Sequence, residues 1–500
     1  MDSKLRYNIN PLVKHLNKPQ SEFTKKDILQ YITDKEIRLI NFRYVAADGR
    51  LKTLNFPVTS LDYAESILTY GERVDGSSLF PFIEAGSSDL YVIPRFSTAF
   101  ADPFSEIPAL GLLCSYFTKD STPLESSPEY TLRKAAKSFT KSTGLAFEAM
   151  GELEFYVCDI EEPLFPAVNQ KGYHESEPFT KFEHFRTEAM NLIAQTGGMI
   201  KYGHSEVGNF TQDGKVYEQN EIEFLVSPVE SAADQLVIAK WIIRTLAFKY
   251  GLDVTFAPKI TIGKAGSGLH FHTRMVKDGK SVMTENGSLS ILAKRAIAGY
   301  MQCASSLTAF GNTNPTSYFR LVPHQEAPTS ICWGDRNRSV LVRVPLGWTG
   351  GHDMLSIANP NEKPREDMIF DKQTVEMRSP DGSADIYMML AGLVVAARTG
   401  FENPSALEIA DRCYVDVNIH DKKHEEKLLS LEQLPASCWE SAEELEKKRS
   451  IYEKDGVFSP SLIDGVIKKL KSYNDKDIRI ETKNDPSKMK ELVELYYHCG

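Results

Sequence analysis

One strand of this chain is encoded by Glu148-Ala-Met-Gly-Glu-Leu-Glu-Phe-Tyr-Val-Cys158. In a β-strand, residues two positions apart point to the same face of the sheet. Glu152 and Glu154 therefore share one face, whereas Leu153 between them faces an apolar core. Burying two carboxylates without partners costs free energy. The strand therefore predicts positively charged partners for its glutamates.

Three further strand-like stretches repeat this pattern of polar side chains at every second position. The pairs are Glu221/Glu223 around Ile222, His270/His272 around Phe271 and Glu376/Arg378 around Met377. For any one pair, a solvated strand face is an equally good interpretation. Taken together, the four strands predict the walls of one funnel whose carboxylates are neutralised by divalent cations. The pattern indicates a metal-dependent enzyme.

Composition narrows the class of protein. The 500 residues are 42% hydrophobic and 25% charged, which is typical of a globular chain of two or three domains. The net charge of −10 argues against nucleic acid as the main partner, because phosphate binding needs a basic surface. The longest apolar run, Ile386 to Ala397, is shorter than the ~20 residues that span a bilayer. Residues 1–16 also lack the apolar core of a signal peptide. We therefore expect a cytoplasmic protein that binds neither nucleic acid nor membrane.

Turn and capping residues divide the chain into two parts. Two strands within residues 36–58, joined at Asp48-Gly49, predict a hairpin near the N-terminus. The strand pattern breaks at Lys119–Pro123, so we place the domain boundary near residue 125, between domains 1–125 and 126–500. Ser127 as N-cap, Pro128 at the first position and Gly144 past the end predict a helix. Further helices are predicted at residues 182–196, 231–250, 288–310, 384–399, 442–452 and 460–473. With strands between them, the larger part is α+β.

Arg343 lies in a predicted strand, Asn337 to Pro345, on the face opposite Val342 and Val344. The chain contains neither a Walker-type phosphate loop nor a G-x-S-x-G elbow, so any nucleotide is held in another way. A guanidinium facing bound cations suits a phosphoryl group in transfer, whose equatorial oxygens share negative charge. The alternative is a surface arginine on an edge strand.

Several motifs occur in an order that resembles type I glutamine synthetases, from about Val74 to about Tyr473, whereas residues 1–35 carry no such similarity. The motifs are Val74-Asp-Gly-Ser-Ser78, Met150-Gly-Glu-Leu-Glu-Phe155, His204-Ser-Glu206, Gln219-Asn-Glu221, Gly266-Ser-Gly-Leu-His-Phe-His272, Asn314-Pro-Thr-Ser-Tyr-Phe-Arg-Leu-Val-Pro323, Glu326-Ala-Pro328, Asn337-Arg-Ser339 and Val375-Glu-Met-Arg-Ser-Pro-Asp381.

The resemblance implies a fold and a reaction. The fold is α+β, with a small N-terminal β-grasp-like domain and a large catalytic domain built on a curved antiparallel sheet. The reaction is ATP-dependent formation of glutamine, in which glutamate becomes γ-glutamyl phosphate and ammonia then displaces the phosphate. ATP is a substrate, and two or more divalent cations, Mg²⁺ or Mn²⁺, are expected as cofactors.

The same resemblance assigns six metal ligands. The ion nearer glutamate and ammonium would be held by Glu154, Glu206 and Glu221. The ion that binds the ATP phosphates would be held by Glu152, His270 and Glu376.

The resemblance also assigns substrate contacts. Glutamate would be bound by Gly266, Arg320 and Arg378, ATP and the transferred phosphate by His272, Arg338 and Arg343, and ammonium by Asp75, Ser78 and Tyr173, while Glu326 would shield the intermediate. In this family the loop that carries Asp75 reaches the active site of a neighbouring subunit. This implies a homo-oligomer with active sites between subunits, in stacked hexameric rings.

Two departures from the family leave substrate choice open. The family has asparagine where this chain has Ala265, and Gly-Tyr where it has His324-Gln325. One alternative is therefore a γ-glutamyl ligase that uses a different amine or acid, although Asp75, Ser78 and Tyr173 favour ammonia. The other is a catalytically silent relative, which the presence of all six metal ligands argues against.

Overall fold

A computed structural model describes residues 5–83, 88–160, 164–322, 327–347, 354–363, 372–419, 423, 426 and 429–500. These residues form a smaller N-terminal sheet and a larger sheet, with helices packed against both. Among the described helices, none has both the length and the apolar composition needed to cross a membrane.

The N-terminal sheet has six strands. The elements of this part are α1 (Pro11–Leu16), α2 (Lys25–Asp34), β1 (Leu39–Val45), β2 (Leu51–Pro57), α3 (Leu61–Tyr70), β3 (Glu72–Asp75), β4 (Asp89–Pro94), β5 (Phe100–Ala101) and β6 (Ala109–Phe117). The strand order is β2-β1-β6-β4-β3, with β5 beside β6. The predicted β1–β2 hairpin is confirmed, and β1 also pairs in parallel with β6. Its first strand begins later than expected because Glu36, with φ of 50°, turns the chain after α2.

The larger sheet has ten strands and supplies the site. Its strands are β7 (Ala146–Ile160), β8 (Ile200–Gln212), β9 (Lys215–Phe224), β10 (Ser227–Pro228), β11 (Asp253–Thr255), β12 (Leu269–Lys277), β13 (Lys280–Ser281), β16 (Trp333–Asp335), β17 (Val342–Val344) and β18 (Val375–Met377), while β14 (Thr284–Glu285) and β15 (Ser288–Leu289) form a separate hairpin. The main order is β16-β17-β18-β12-β7-β9-β8. The expected antiparallel pairing holds along this order except between β16 and β17, which are parallel.

In the described residues the larger part has twelve helices, the seven that were predicted and five, at residues 317–320, 354–358, 406–412, 478–484 and 486–496, that were not. They are α4 (Pro128–Thr143), α5 (Glu183–Gln195), α6 (Val229–Tyr250), α7 (Ile291–Gly311), α8 (Ser317–Arg320), α9 (Met354–Ala358), α10 (Ile386–Glu402), α11 (Ala406–Arg412), α12 (Cys438–Glu453), α13 (Pro460–Ser472), α14 (Ile478–Asn484) and α15 (Pro486–Tyr496). The helix expected from residue 288 begins at Ile291. Asn286 and Gly287 both have positive φ, so they turn the short β14–β15 hairpin first, and Ser290 then caps the helix.

The two parts share apolar packing. The core around β7, α6, α7 and α10 also includes Val45, Phe100 and Leu113 of the N-terminal part. The chain crosses from β6 to α4 between residues 118 and 127, where the sequence places the boundary. Because the core is shared across this crossing, the division into domains 1–125 and 126–500 stays a prediction.

A buried ion pair also joins the two parts. The guanidinium of Arg95, just after β4, donates two hydrogen bonds to the carboxylate of Asp234 in α6, at 2.7 and 2.8 Å. The hydroxyl of Tyr387 in α10 donates to the same carboxylate at 2.6 Å. Such a bidentate pair has good geometry. Removing one partner leaves the other charge buried and unpaired.

We expect Asp234→Ala to destabilise the folded protein by about 3–5 kcal/mol, because Arg95 loses its counter-charge inside the protein. Asp120→Ala is the matched control, since the Lys119–Asp120 pair is 77% and 70% exposed. That exposed pair should contribute no more than about 1 kcal/mol. Differential scanning calorimetry of both variants tests this, and equal melting temperatures would contradict it.

Candidate active site

Strand pairing brings the predicted polar side chains into rows across the larger sheet. The rows are His270–Glu152–Glu223, Arg343–Glu376–His272 and Glu154–Glu221–His204. Because these residues face the same side of the sheet, they line one cavity of about 1070 Å³, here called the ion cavity. The four charged strand faces that the sequence pattern predicts therefore do meet at one place.

The first ion cluster consists of Glu152, His270 and Glu376, whose ligand atoms lie within 4.8 Å of one another. The Nδ1 of His270 lies 3.0 Å from Glu152 Oε2 and 3.7 Å from Glu376 Oε1. Burial acts to raise the pKa of Glu152, but the neighbouring His272 and His270 hold it well below its usual range. Conversely, burial would lower the pKa of His272, but Glu152 raises it. The resemblance assigns the three members of the cluster, Glu152, His270 and Glu376, to the ion that binds the ATP phosphates.

The second ion cluster consists of His204, Glu206 and Glu221, again within 4.8 Å of one another. The Nε2 of His204 lies 3.2 Å from Glu221 Oε1. Glu206 lies where the β8–β9 register shifts, between Ser205 and Asn209. This irregularity interrupts the simple alternation of the strand.

Glu154 lines the ion cavity beside this cluster. Its Oε2 accepts hydrogen bonds from the Gly268 N–H at 2.6 Å and from the Gln219 side-chain amide at 3.0 Å. The resemblance assigns Glu154, Glu206 and Glu221 to one ion. In the structure, the third member of the cluster around Glu206 and Glu221 is His204. The role of Glu154 as a ligand stays a prediction.

The electrostatics of the ion cavity fit divalent cations. Burial, and then the charges of Glu152, Glu154 and Glu206, raise the pKa of Glu221 well above its usual value. The carboxylates therefore repel one another, and a cation bound among them would remove that repulsion. Carboxylate oxygens with one imidazole per cluster suit Mg²⁺ or Mn²⁺, with Mn²⁺ the better partner for nitrogen.

Arginines close one side of the ion cavity. Arg343 donates to Glu376 Oε2 at 2.9 Å, and the Nε of Arg378 donates to Glu376 Oε1 at 3.1 Å. Arg320, 5% exposed, donates to the Ser379 carbonyl at 2.8 Å and lies 3.1 Å from the Nε2 of His270.

Arg343 is not a surface arginine on an edge strand, because β17 lies between β16 and β18. The strand around it is shorter than predicted. The side chain of Asn337 accepts hydrogen bonds from the N–H and hydroxyl of Ser339, which turns the backbone before Val342.

The other predicted site residues divide into three groups. Tyr173, Gly266, His272 and Arg338 line the ion cavity. Asp75 and Ser78 lie outside it, exposed on the N-terminal part, where the Ser78 hydroxyl donates to Asp75 Oδ2 at 2.7 Å. Hydrogen bonds from Ser78 and Ser77 lower the pKa of Asp75. Glu326, with His324 and Gln325, lies outside the described residues.

Sequence reasoning assigned no role to several side chains of the ion cavity, and two of them pair with its glutamates. One is His204, whose spacing of two from Glu206 in a strand was an available signal. The other is Lys201, whose Nζ lies 2.5 Å from the buried carboxylate of Glu223. Nothing in the local sequence marks Lys201, because its partner lies on the neighbouring strand.

Comparison with protein families matches nearly the whole chain. Residues 36–119 match the glutamine synthetase β-grasp domain, and residues 125–485 match the glutamine synthetase catalytic domain. These two matches cover both sheets described above.

Individual proteins show the same similarity. Glutamine synthetase of Pyrococcus furiosus is 30% identical over 467 residues, which cover 92% of this chain and 96% of the relative. The Methylococcus capsulatus enzyme is 28% identical over 481 residues, covering 89% and 94%. Among solved structures, a cryoEM structure of Plasmodium falciparum glutamine synthetase has a TM-score of 0.73 at 19% identity, covering 92% and 97%. An apo structure of GmaS has a TM-score of 0.72 at 18% identity, covering 92% and 99%. Because these two sequence identities are below 25%, the structural matches support a shared fold and nothing more.

Proposed function

Because this chain belongs to the glutamine synthetase family, we propose that it forms glutamine from glutamate and ammonia with ATP, through a γ-glutamyl phosphate. The observation that carries the proposal is the ion cavity. Besides the two ion clusters it holds a third group of this kind, Glu152, Glu223 and His272, which shares Glu152 with the first cluster, and Arg343 and Arg378 lie beside them.

The residues of the ion cavity fit divalent cations at two positions. Glu152, His270 and Glu376 would hold one ion, and Glu206 and Glu221, with Glu154 or His204, the other. Bound there, the cations would neutralise the negative charge of ATP and of the phosphoryl group.

In this proposal the arginines orient the phosphates and the glutamate carboxylate. Arg343 and Arg338 would contact the phosphates, because a planar guanidinium matches the geometry of phosphate oxygens. Arg378 and Arg320 would bind the carboxylate of glutamate, next to the Gly266 backbone. Since Glu376 already pairs with Arg343 and Arg378, one carboxylate would fix the orientation of both guanidiniums.

We further propose that the protein acts as a cytoplasmic homo-oligomer, in stacked hexameric rings, with its sites between subunits. Asp75 and Ser78 support this, since both are exposed and neither lines the ion cavity of their own chain. Within one chain, the ammonium pocket would then consist of Tyr173 alone.

The experiment that tests the function is a product assay with purified protein. ATP, Mg²⁺ or Mn²⁺ and a panel of acids and amines are supplied, and phosphate release and product mass are followed. Glutamine from glutamate and ammonia supports the proposal. A γ-glutamyl product formed only with another amine, or an amide of another acid, supports the alternative ligase. Absence of any ATP-dependent product supports a catalytically silent relative.

Ala265 offers a test of substrate choice. Its N–H donates to Gln170 Oε1 at 2.7 Å and its carbonyl accepts from the Tyr156 hydroxyl at 2.8 Å, so the backbone is held independently of the side chain. If glutamate is the substrate, Ala265→Asn adds a hydrogen-bonding group worth about 0.5–1.5 kcal/mol. We expect it to lower the KM for glutamate several-fold with little change in kcat.

Steady-state kinetics of both proteins check this prediction. A low glutamate KM in the wild type that does not improve in Ala265→Asn would show that Ala265 is a neutral replacement. Depressed activity on another acid or amine, with glutamate still poor, would support the alternative ligase.

A further inference from the structure

A second cavity, of about 550 Å³, lies between the N-terminal part and the C-terminal helices. Its walls come from the β1–β2 turn, the start of α10, α13 and the last residues of the chain. Among the described residues, none lines both this cavity and the ion cavity. Its volume falls within the range of small-molecule sites.

One wall of the second cavity is apolar. It is formed by Phe80, Phe82, Met388, Leu462, Val466 and Leu470. These side chains come from the N-terminal part, α10 and α13. A ligand with an apolar body would therefore contact three separate segments at once.

The lining of this cavity also includes a buried amide donor that has only a thiol beside it among the described residues. The Oδ1 of Asn314 accepts from the N–H and the hydroxyl of Thr316, at 2.9 and 2.6 Å, which fixes the orientation of the amide. Its Nδ2 is buried and finds no oxygen or nitrogen acceptor among the described residues. Its neighbour in the wall is the Cys499 thiol, a weak acceptor. A donor buried in this way is unfavourable unless a ligand accepts from it.

Asp385 and Lys469 line the same cavity, together with the charged side chains of Asp48, Arg50 and Glu494, and neither Asp385 nor Lys469 forms an ion pair in the described part of the chain. Asp385 caps α10 through a hydrogen bond from the Met388 N–H at 3.1 Å, and Lys469 donates to the Ala47 carbonyl at 3.2 Å. Burial raises the pKa of Asp385, which the positive charge of Lys469 partly opposes. Each of these side chains therefore has capacity for a partner of opposite charge.

Asp385 and Asn314 belong to two loops that are hydrogen-bonded to each other. The Thr313 N–H donates to Ser383 Oγ at 3.0 Å, and the Thr313 hydroxyl donates to the Ser383 carbonyl at 2.7 Å. The carboxyl group and the amide donor thus both lie in the cavity lining, on loops that are hydrogen-bonded to each other.

We propose that the second cavity binds an apolar α-amino acid. Its ammonium group pairs with Asp385, its carboxylate accepts from Asn314 Nδ2 and pairs with Lys469, and its side chain packs on the apolar wall. A simple amine offers no carboxylate to Asn314 or Lys469, and a simple carboxylic acid offers no ammonium group to Asp385. This inference is independent of the proposed reaction, since it involves none of the ion-cavity residues.

Calorimetric titration of the full-length protein tests the proposal with L-leucine and L-phenylalanine, in saturating glutamate so that the ion cavity is occupied. We expect at least one of them to bind and to raise the melting temperature. For L-leucine, the matched analogues 3-methylbutylamine and 4-methylpentanoate lack one charged group each and should bind at least tenfold more weakly than the amino acid that they mimic.

Variants separate the second cavity from the ion cavity. Asp385→Asn keeps the helix cap but loses the charge, and Val466→Trp fills the apolar end. Both should weaken amino-acid binding at least tenfold while ATP-dependent turnover persists. Asp464→Asn, on the exposed side of α13 against Arg449, is the control and should bind as the wild type does.

Three results would overturn the proposal. The first is that neither amino acid binds, and the second is that an analogue with one charge binds as well as L-leucine. The third is that binding is unchanged in both Asp385→Asn and Val466→Trp, which would locate the ligand outside the second cavity. None of these results bears on whether glutamine is formed.

Discussion

Replacing Glu376 by glutamine is expected to reduce turnover by two or more orders of magnitude, because the variant loses a charge that would neutralise a cation. Stabilisation of transition-state charge by a bound metal is worth several kcal/mol. Glu376 also pairs with Arg343 at 2.9 Å and Arg378 at 3.1 Å, so the change releases two guanidiniums from their fixed orientation. Glu154→Gln should cause a loss of similar size, if Glu154 is a ligand of the second ion.

The fold should survive both substitutions. Without bound metal, the carboxylates of the ion cavity repel one another, as the raised pKa of Glu221 indicates. Removing the negative charge of Glu154 relieves part of that repulsion. At Glu376, burial and Glu152 act to raise the pKa but Arg378, His272 and His270 lower it, so there the fold is maintained because the glutamine oxygen can still accept a hydrogen bond from a guanidinium.

Glu148→Gln is the matched control for these variants. Glu148 lies on the same strand and the same face as Glu152 and Glu154, but its carboxylate pairs with Arg274 at 2.6 Å and belongs to neither ion cluster. Product formation and Mn²⁺ binding by equilibrium dialysis are measured for all the variants. Wild-type turnover in both Glu376→Gln and Glu154→Gln would contradict the two-metal assignment.

Mixing Asp75→Ala with Arg343→Ala is expected to restore activity that neither variant has alone. Asp75 is exposed on the N-terminal part, whereas Arg343 lies in the ion cavity, so a complete site would need Asp75 from one subunit and Arg343 from another. In a closed ring with random assembly, about a quarter of the sites receive both wild-type residues.

Subunit exchange must first be demonstrated, for example by native mass spectrometry of differently labelled variants. The control mixture is Arg343→Ala with Glu376→Gln, two residues that contact each other within one chain. Both residues belong to the ion cavity of the same chain, so every subunit in this mixture has one defect in its own ion cavity. This mixture should therefore stay inactive. If exchange occurs and the Asp75→Ala mixture also stays inactive, Asp75 does not act across a subunit boundary.

Local sequence was enough to identify seven helices of the larger part and the strands that carry the four polar pairs. Pro128 and Gly144 bound the helix that the structure shows at Pro128–Thr143, because capping and backbone conformation are properties of neighbouring residues. The alternation around Leu153 and Phe271 likewise assigned each charged side chain to one face of its strand. Both predictions depend on contacts over a few residues only.

The first ion cluster shows how far this reasoning extends to the site. Glu152, His270 and Glu376 could be proposed from strand periodicity and from the family resemblance, and the structure brings them within 4.8 Å of one another. The second cluster was harder to predict from the sequence. The register shift after Ser205 decides where Glu206 points, and His204 joins the cluster through its pairing with Glu221 on β9.

The sequence by itself determined seven helices of the larger part, the N-terminal hairpin, and which face of the four polar strands carries the charge. Only the tertiary structure decided that His270 lies opposite Glu152, that Arg343 contacts Glu376 from an interior strand, and that Asn314, Asp385 and Lys469 line a second cavity. The physical reason is the separation along the chain over which each kind of interaction acts. Periodicity and capping act within one element, whereas register and cavity walls depend on pairing and packing between segments that are far apart in the chain.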